Sequence, residues 1–243
     1  MFVRGVMTLV MFSIIAKKIG ALRPLTTILN PVIMARCLCE VLATIFFLTG
    51  LSQIDFANVS SIMQSLPLVV TLGAALFLGE PVGWRRWLAI AVGFFGVLVI
   101  LRPGHDGFST GSLFLVASVA VTAGRDLLTR KMQSNIPSMT VTFFTTLVNT
   151  VFGAILIVPY GGWQPLTFNL IGWLFVASIF VLLGYQTIIL AMRKGEIAFV
   201  APFRYTSLVF AFIVSILVFH EKIDVWTIVG ATIVICSGLY TFY

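Results

Sequence analysis

Apolar residues fall in nine runs along the chain, covering 2–20, 31–51, 55–79, 84–102, 110–130, 138–160, 169–191, 196–219 and 224–243. A bilayer core about 30 Å thick takes roughly 20 apolar residues per helix, so each run is long enough to cross. Proline and glycine mark the joins. Asn30-Pro31 opens the second run, Gly79-Glu80-Pro81 separates the third from the fourth, and Arg102-Pro103-Gly104 closes the fourth. The polar stretch PGHDGFS at 103–109 is the natural midpoint. The pattern predicts an all-α integral membrane protein with nine visible transmembrane helices, leaving no room for a soluble domain or an extramembrane active site.

The third and fourth runs recur at the end of the chain. Ala198, Val200 and Glu221 echo Ala57, Val59 and Glu80 at 141 residues' distance, and Trp226 and Gly238 echo Trp84 and Gly96 at 142. The chain therefore divides into repeats over 1–104 and 105–243, the first with four runs and the second with five. Matching helices are five crossings apart, an odd number, so the two copies face opposite ways. This is the inverted-repeat architecture in which secondary transporters hold substrate where the halves meet. Five helices in the first repeat would require a tenth, ahead of Met1.

Composition agrees with burial in lipid: 60% of residues are hydrophobic, 9% are charged, and the mean hydropathy is +1.11. The formal charge of +7 is not gathered in one patch, which argues against nucleic acid as a partner. Instead Lys17, Lys18 and Arg23, then Arg85 and Arg86, then Arg130 and Lys131, then Arg193 and Lys194 flank alternate connections, while the others hold only Arg102 and Lys222. The positive-inside rule makes the first set cytoplasmic. The carboxyl terminus is then cytoplasmic, and the first run starts outside, which again predicts a preceding helix. A signal peptide is the competing reading of that run, but AKKIG offers no small-residue cleavage site. Cys37, Cys39 and Cys236 sit inside runs as small apolar residues and form neither a disulfide framework nor a metal site.

The stretch LPLVVTLGAALFLGEPVGWRRWLAIAVGFFGVLVILRPG, ending at Gly104, and its weaker tail copy resemble the paired EamA-type repeats of the drug/metabolite transporter superfamily. That resemblance implies ten helices with both termini cytoplasmic, and transport of a small metabolite such as an amino acid, nucleoside-like compound, vitamin or drug. The absent first helix departs from the family pattern. Resemblance to vitamin carriers makes riboflavin uptake the substrate expectation, with S-adenosylmethionine-type uptake and export of amino acids or other metabolites as alternatives.

Charges inside runs are costly unless paired, snorkelling or beside water. Arg36 and Glu40 lie four apart, on one helical face, with Glu40 about 15 Å in from the cytoplasmic end at 1.5 Å per residue. They read either as an ion pair holding the bundle or as a site for a proton or a substrate. Arg125, Asp126 and Arg204 form a second group. Arg36, Arg125 and Arg204 fall in the cytoplasmic third, where they either snorkel singly or line an anion-attracting vestibule. Pro202 loosens the backbone beside Arg204 and Tyr205, which makes these two the preferred substrate contacts. Thr142, Thr145, Thr146, Asn149 and Thr150 form one polar stripe. Threonines also act as interhelical glue worth about 0.6 kcal/mol each, so Asn149 is the stripe's best cavity candidate. Gln64 and Gln186 are similar candidates. Gly96 and Gly238 read as close-packing positions, Glu80 and Glu221 as interface caps or gate contacts, and Asn58 as a helix-start residue despite its glycosylation sequon.

The sequence holds no Walker loop, H-E-x-x-H or nucleophile elbow, so the chain reads as no enzyme, without catalytic residues, cofactor or metal. Transport must then draw on a gradient or on exchange. The expected partners are the lipid bilayer and a small-molecule substrate, with a homodimer left open. A passive channel or a non-transporting scaffold is the rival class; a channel should show charge rings or carbonyl-lined filter loops, and none is visible.

Overall fold

A computed structural model describes residues 1–19, 30–79, 83–101, 109–132, 136–157, 162–163, 165–194 and 204–241. Glu80, Pro202, Ala198, Val200 and the 102–108 join lie outside these residues. The described elements are α1 (Phe2–Ile19), α2 (Pro31–Leu51), α3 (Phe56–Met63), α4 (Leu66–Phe77), α5 (Trp84–Leu101), α6 (Thr110–Lys131), α7 (Ser138–Ile155), α8 (Phe168–Lys194), α9 (Thr206–Leu217) and α10 (Val225–Tyr240). Among the described residues, six segments are long and apolar enough to cross a bilayer: Pro31–Leu51, Phe56–Phe77, Trp84–Leu101, Thr110–Lys131, Ser138–Ile155 and Phe168–Ala191. Large apolar side chains such as Phe77, Phe95, Phe168 and Phe180 stay exposed, as they do where the solvent is lipid. The protein is an all-α membrane protein.

Local chemistry sets several helix starts. Asn30 caps α2 by accepting from the Val32 amide at 3.0 Å, and Pro31, which lacks an amide hydrogen, fits the first helical position. Asp224 does the same for α10, accepting from the Trp226 amide at 3.1 Å. The third apolar run differs from its expected single helix: α3 ends at Met63 and α4 starts at Leu66. Pro67 cannot donate to the Met63 carbonyl and crowds it, so the chain turns tightly through Gln64 and Ser65, whose amides bond Ser61 O and Ile62 O.

The chain forms two compact units, each drawing on both sequence repeats: Met1–Val41 with Leu128–Lys194, and Leu42–Leu127 with Gly195–Tyr243. In the first, α1 packs on α7 and α8. Small residues allow this approach, since a Cβ on Gly5 would strike Thr150 and one on Gly153 would strike the Met1–Phe2 backbone. A second core gathers Ile33, Cys37, Val141, Phe144 and Ile189. In the other unit, α5 and α10 form the tightest seam. A Cβ on Gly96 would lie 3.0 Å from the Gly230 carbonyl oxygen, and one on Gly230 would lie 2.7 Å from that of Gly96. Small residues on facing helices substitute backbone contact for the hydrophobic drive that lipid removes. Val59, Ile62, Leu68, Val97, Leu115 and Val234 fill the core around that seam.

Candidate functional site

In the first unit, α2 carries a buried arginine and a buried glutamate one turn apart. Arg36 is 2% exposed and Glu40 5%. The Arg36 Nε donates to Thr129 Oγ1 at 2.8 Å, and Nη1 donates to Thr145 Oγ1, so the guanidinium ties α2 to α6 and α7. Glu40 Oε1 accepts from the Tyr185 hydroxyl on α8 at 2.7 Å. Gln186 follows on α8, its Oε1 at 3.5 Å from Thr142 Oγ1. Hydroxyls and charges from four helices thus converge within this unit.

The stripe on α7 is buried as a set, but its members differ in how they are satisfied. The hydroxyls of Thr142, Thr145, Thr146 and Thr150 each donate to the carbonyl four residues back, at 2.7–3.0 Å. Asn149 has no such recourse: its Oδ1 is buried without a hydrogen-bond partner. Leaving a buried acceptor unsatisfied costs about 1–3 kcal/mol, so this position departs from what packing alone would select.

In the second unit, Asp126 on α6 collects two arginines. Arg125 folds back onto its neighbour, with Nη2 at 2.6 Å and Nε at 2.9 Å from Asp126 Oδ1. Arg204 Nη1 lies 3.0 Å from Asp126 Oδ2. The Arg125 side chain is 11% exposed and ion-paired. Beside it, Gln64 Nε2 donates to Ser207 Oγ at 2.9 Å, and Ser207 Oγ donates to the Arg204 carbonyl at 2.7 Å. Tyr205 is buried with its hydroxyl unpartnered. That hydroxyl sits over Gly238, where any Cβ would overlap it.

The structure thus brings Arg36, Glu40, Asn149 and Gln186 into one unit and Gln64, Arg125, Asp126, Arg204 and Tyr205 into the other. Glu80 lies outside the described residues. Glu221 lies at the start of α3: its carboxylate accepts from the Phe56 amide at 2.9 Å and the Ala57 amide at 3.1 Å, and from the Ser215 hydroxyl. Burial pushes this carboxyl up, but the Ser215 hydroxyl and the two amides outweigh it and hold it below the ordinary value. Asn58 opens α3 with its Oδ1 accepting from Thr227 at 2.6 Å.

Sequence reasoning passed over Thr129, Tyr185, Ser207 and Ser215. A hydroxyl on an apolar helix carries no signal of its own. Only the charge or amide that it meets across the fold marks it, and that meeting is not periodic. The break at Gln64–Ser65 did have a signal, in Pro67.

Helices of bilayer length, lipid-facing apolar surfaces and buried ionic clusters define a multi-pass membrane protein with polar interior sites. Over residues 1–102 and 109–243 the chain matches the EamA-like transporter family, and it belongs to that family. It is 28% identical over 200 residues to an S-adenosylmethionine uptake transporter of Rickettsia bellii, covering 80% of this chain and 66% of that protein. It is 29% identical over 178 residues to a riboflavin transporter of Vibrio cholerae, covering 73% and 59% respectively. A pseudopaline exporter of Pseudomonas aeruginosa is 24% identical, covering 85% and 73%. The chain spans a little under two thirds of the Rickettsia and Vibrio relatives' length. A solved crystal structure shares the fold with TM-score 0.57 at 14% identity, covering 98% of this chain and 95% of that one.

Proposed function

We propose that this chain is a secondary carrier that moves a small organic metabolite across a bacterial inner membrane by alternating access. The observation that carries the reading is a contact between the helix break in the first repeat and the turn that leads into α9 at the corresponding position of the second. The first repeat breaks at Gln64–Ser65. Tyr205, the residue 141 positions after Gln64, is a turn residue immediately before α9. The Gln64 side-chain amide donates to Ser207 at 2.9 Å, so the break in α3–α4 and the start of α9 are joined. Interrupted helices at corresponding positions of inverted repeats frame the substrate in secondary transporters, because freed backbone groups and side chains face it together. Gln64, Arg125, Asp126, Arg204 and Tyr205 around this junction, and Arg36, Glu40, Asn149 and Gln186 in the other unit, are the residues we assign to substrate handling.

Riboflavin uptake remains the substrate reading that the named relatives and the polar stripe support. The charged pair on α2 favours a second, the zwitterionic class that includes S-adenosylmethionine, since a buried carboxylate and guanidinium complement opposite charges on one molecule.

Reconstitution into proteoliposomes tests the carrier reading. Labelled riboflavin or S-adenosylmethionine should enter with saturation and show accelerated exchange against unlabelled substrate inside. Flux that rises linearly with concentration and shows no counterflow supports a channel instead and overturns the reading.

A further inference from the structure

We propose that Asn149 reads the edge of a planar heterocyclic substrate, pairing its carboxamide with a hydrogen-bond donor and an adjacent acceptor on the ring. This rests on the carrier reading above and names the chemistry of that substrate. Four observations converge on Asn149. Its Oδ1 is a buried acceptor with no partner in the protein. Its four stripe companions are all satisfied within α7, so the missing bond is particular to the one residue that cannot reach its own backbone. At 9% exposure it is the most accessible of the five. And it lies one turn beyond Thr145, which the Arg36 guanidinium holds, so the helix that presents it is fixed by a charged tie.

A carboxamide sets an acceptor beside a two-hydrogen donor in one plane. Interhelical glue requires a bond to a neighbouring helix, and Asn149 Oδ1 makes none. What fits two coplanar complementary groups is a ring edge with N–H next to a carbonyl or ring nitrogen. The adenine edge, with its amino group beside a ring nitrogen, is read by asparagine in this way. The flavin imide, an N–H between two carbonyls, offers the same pattern. An aliphatic side chain does not.

The test is binding to the purified full chain, measured by equilibrium dialysis with riboflavin and S-adenosylmethionine. N3-methylriboflavin and the N6,N6-dimethyl form of S-adenosylmethionine serve as probes with the edge donor blocked. Wild type should bind at least one parent compound and bind its blocked form about 5- to 150-fold more weakly, the range of a bidentate base contact. Asn149→Leu should weaken the parent by a similar factor and leave parent and blocked probe equal. Because it removes an unsatisfied group, this variant should unfold at the same temperature or higher; should it fail to fold, Asn149→Ala supplies the same comparison with a smaller side chain. A variant that still discriminates parent from blocked probe overturns the proposal, as does wild type that binds neither parent. Saturable flux and counterflow of a parent compound that persist while Asn149→Leu still discriminates against the blocked probe leave the carrier reading standing, so the two fail separately.

Discussion

At the scale of single residues, the second unit shows how a membrane protein spends its small side chains. Tyr205 is 5% exposed, its ring end lies over Gly238, and a Cβ there would overlap the hydroxyl and crowd the ring. Gly238→Ala should therefore destabilise the protein by about 1–3 kcal/mol, the usual range for overpacking. Tyr205→Phe, which removes a hydroxyl without a partner, should be neutral or stabilising, and added to Gly238→Ala it should recover part of the loss. Thermal unfolding of the three variants in detergent checks this. If Tyr205→Phe alone costs more stability than Gly238→Ala, the hydroxyl has a structural partner and the steric account is wrong. The close fit was only half legible in the sequence. The recurrence of Gly96 as Gly238 marked a packing position, but nothing local says that a tyrosine 33 residues earlier fills the space.

At the scale of elements, the turn before the repeated glutamate becomes a device. Gly79 and His220 are equivalent in the repeat, and both take left-handed backbone, with φ of 68° and 54°. The first is the natural residue for such a turn, and the second bears a side chain there at some cost. The His220 turn aims Glu221 at the start of α3, where its carboxylate accepts two amides that the helix cannot satisfy itself and meets the positive end of the helix dipole. A folded-state pKa held below the ordinary value means that the carboxylate contributes stability above the unfolded pKa. That contribution fades as pH falls through the lower folded value. Glu221→Gln should therefore lower the melting temperature at neutral pH, and the gap from wild type should close progressively as the solution is acidified below the ordinary carboxylate range. A gap independent of pH over that window would show that charge plays no part in the cap. The sequence made Glu221 an interface residue by its repetition but did not say what it caps, because the partner amides lie more than 160 residues away.

At the scale of the whole molecule, the hydrophobic pattern carried most of what could be read. Helix positions follow directly from run length, since a bilayer demands about 20 apolar residues per crossing. The compact units each draw on chain from both sides of the 102–108 join, because packing in lipid depends on which small and polar residues meet rather than on chain order. Orientation rests on charge alone and makes the last prediction. Lys17, Arg85, Arg86, Arg130 and Lys131 all flank alternate joins, whereas the joins between them hold little positive charge, and short loops rich in Lys and Arg stay cytoplasmic. The run pattern expects five crossings between the Glu80 join and its Glu221 echo, which puts the two on opposite sides. A periplasmic reporter, alkaline phosphatase, should be active when fused after Gly104 and inactive after Tyr243, while a cytoplasmic fluorescent reporter should give the reverse. Neutralising Arg85 and Arg86 together should increase the share of molecules in the inverted orientation, because those two charges anchor the join that follows the first repeated helix. The same side for both fusions would contradict an inverted repeat outright. Opposite sides with the reporters exchanged would keep the repeat and overturn only the orientation assigned from charge.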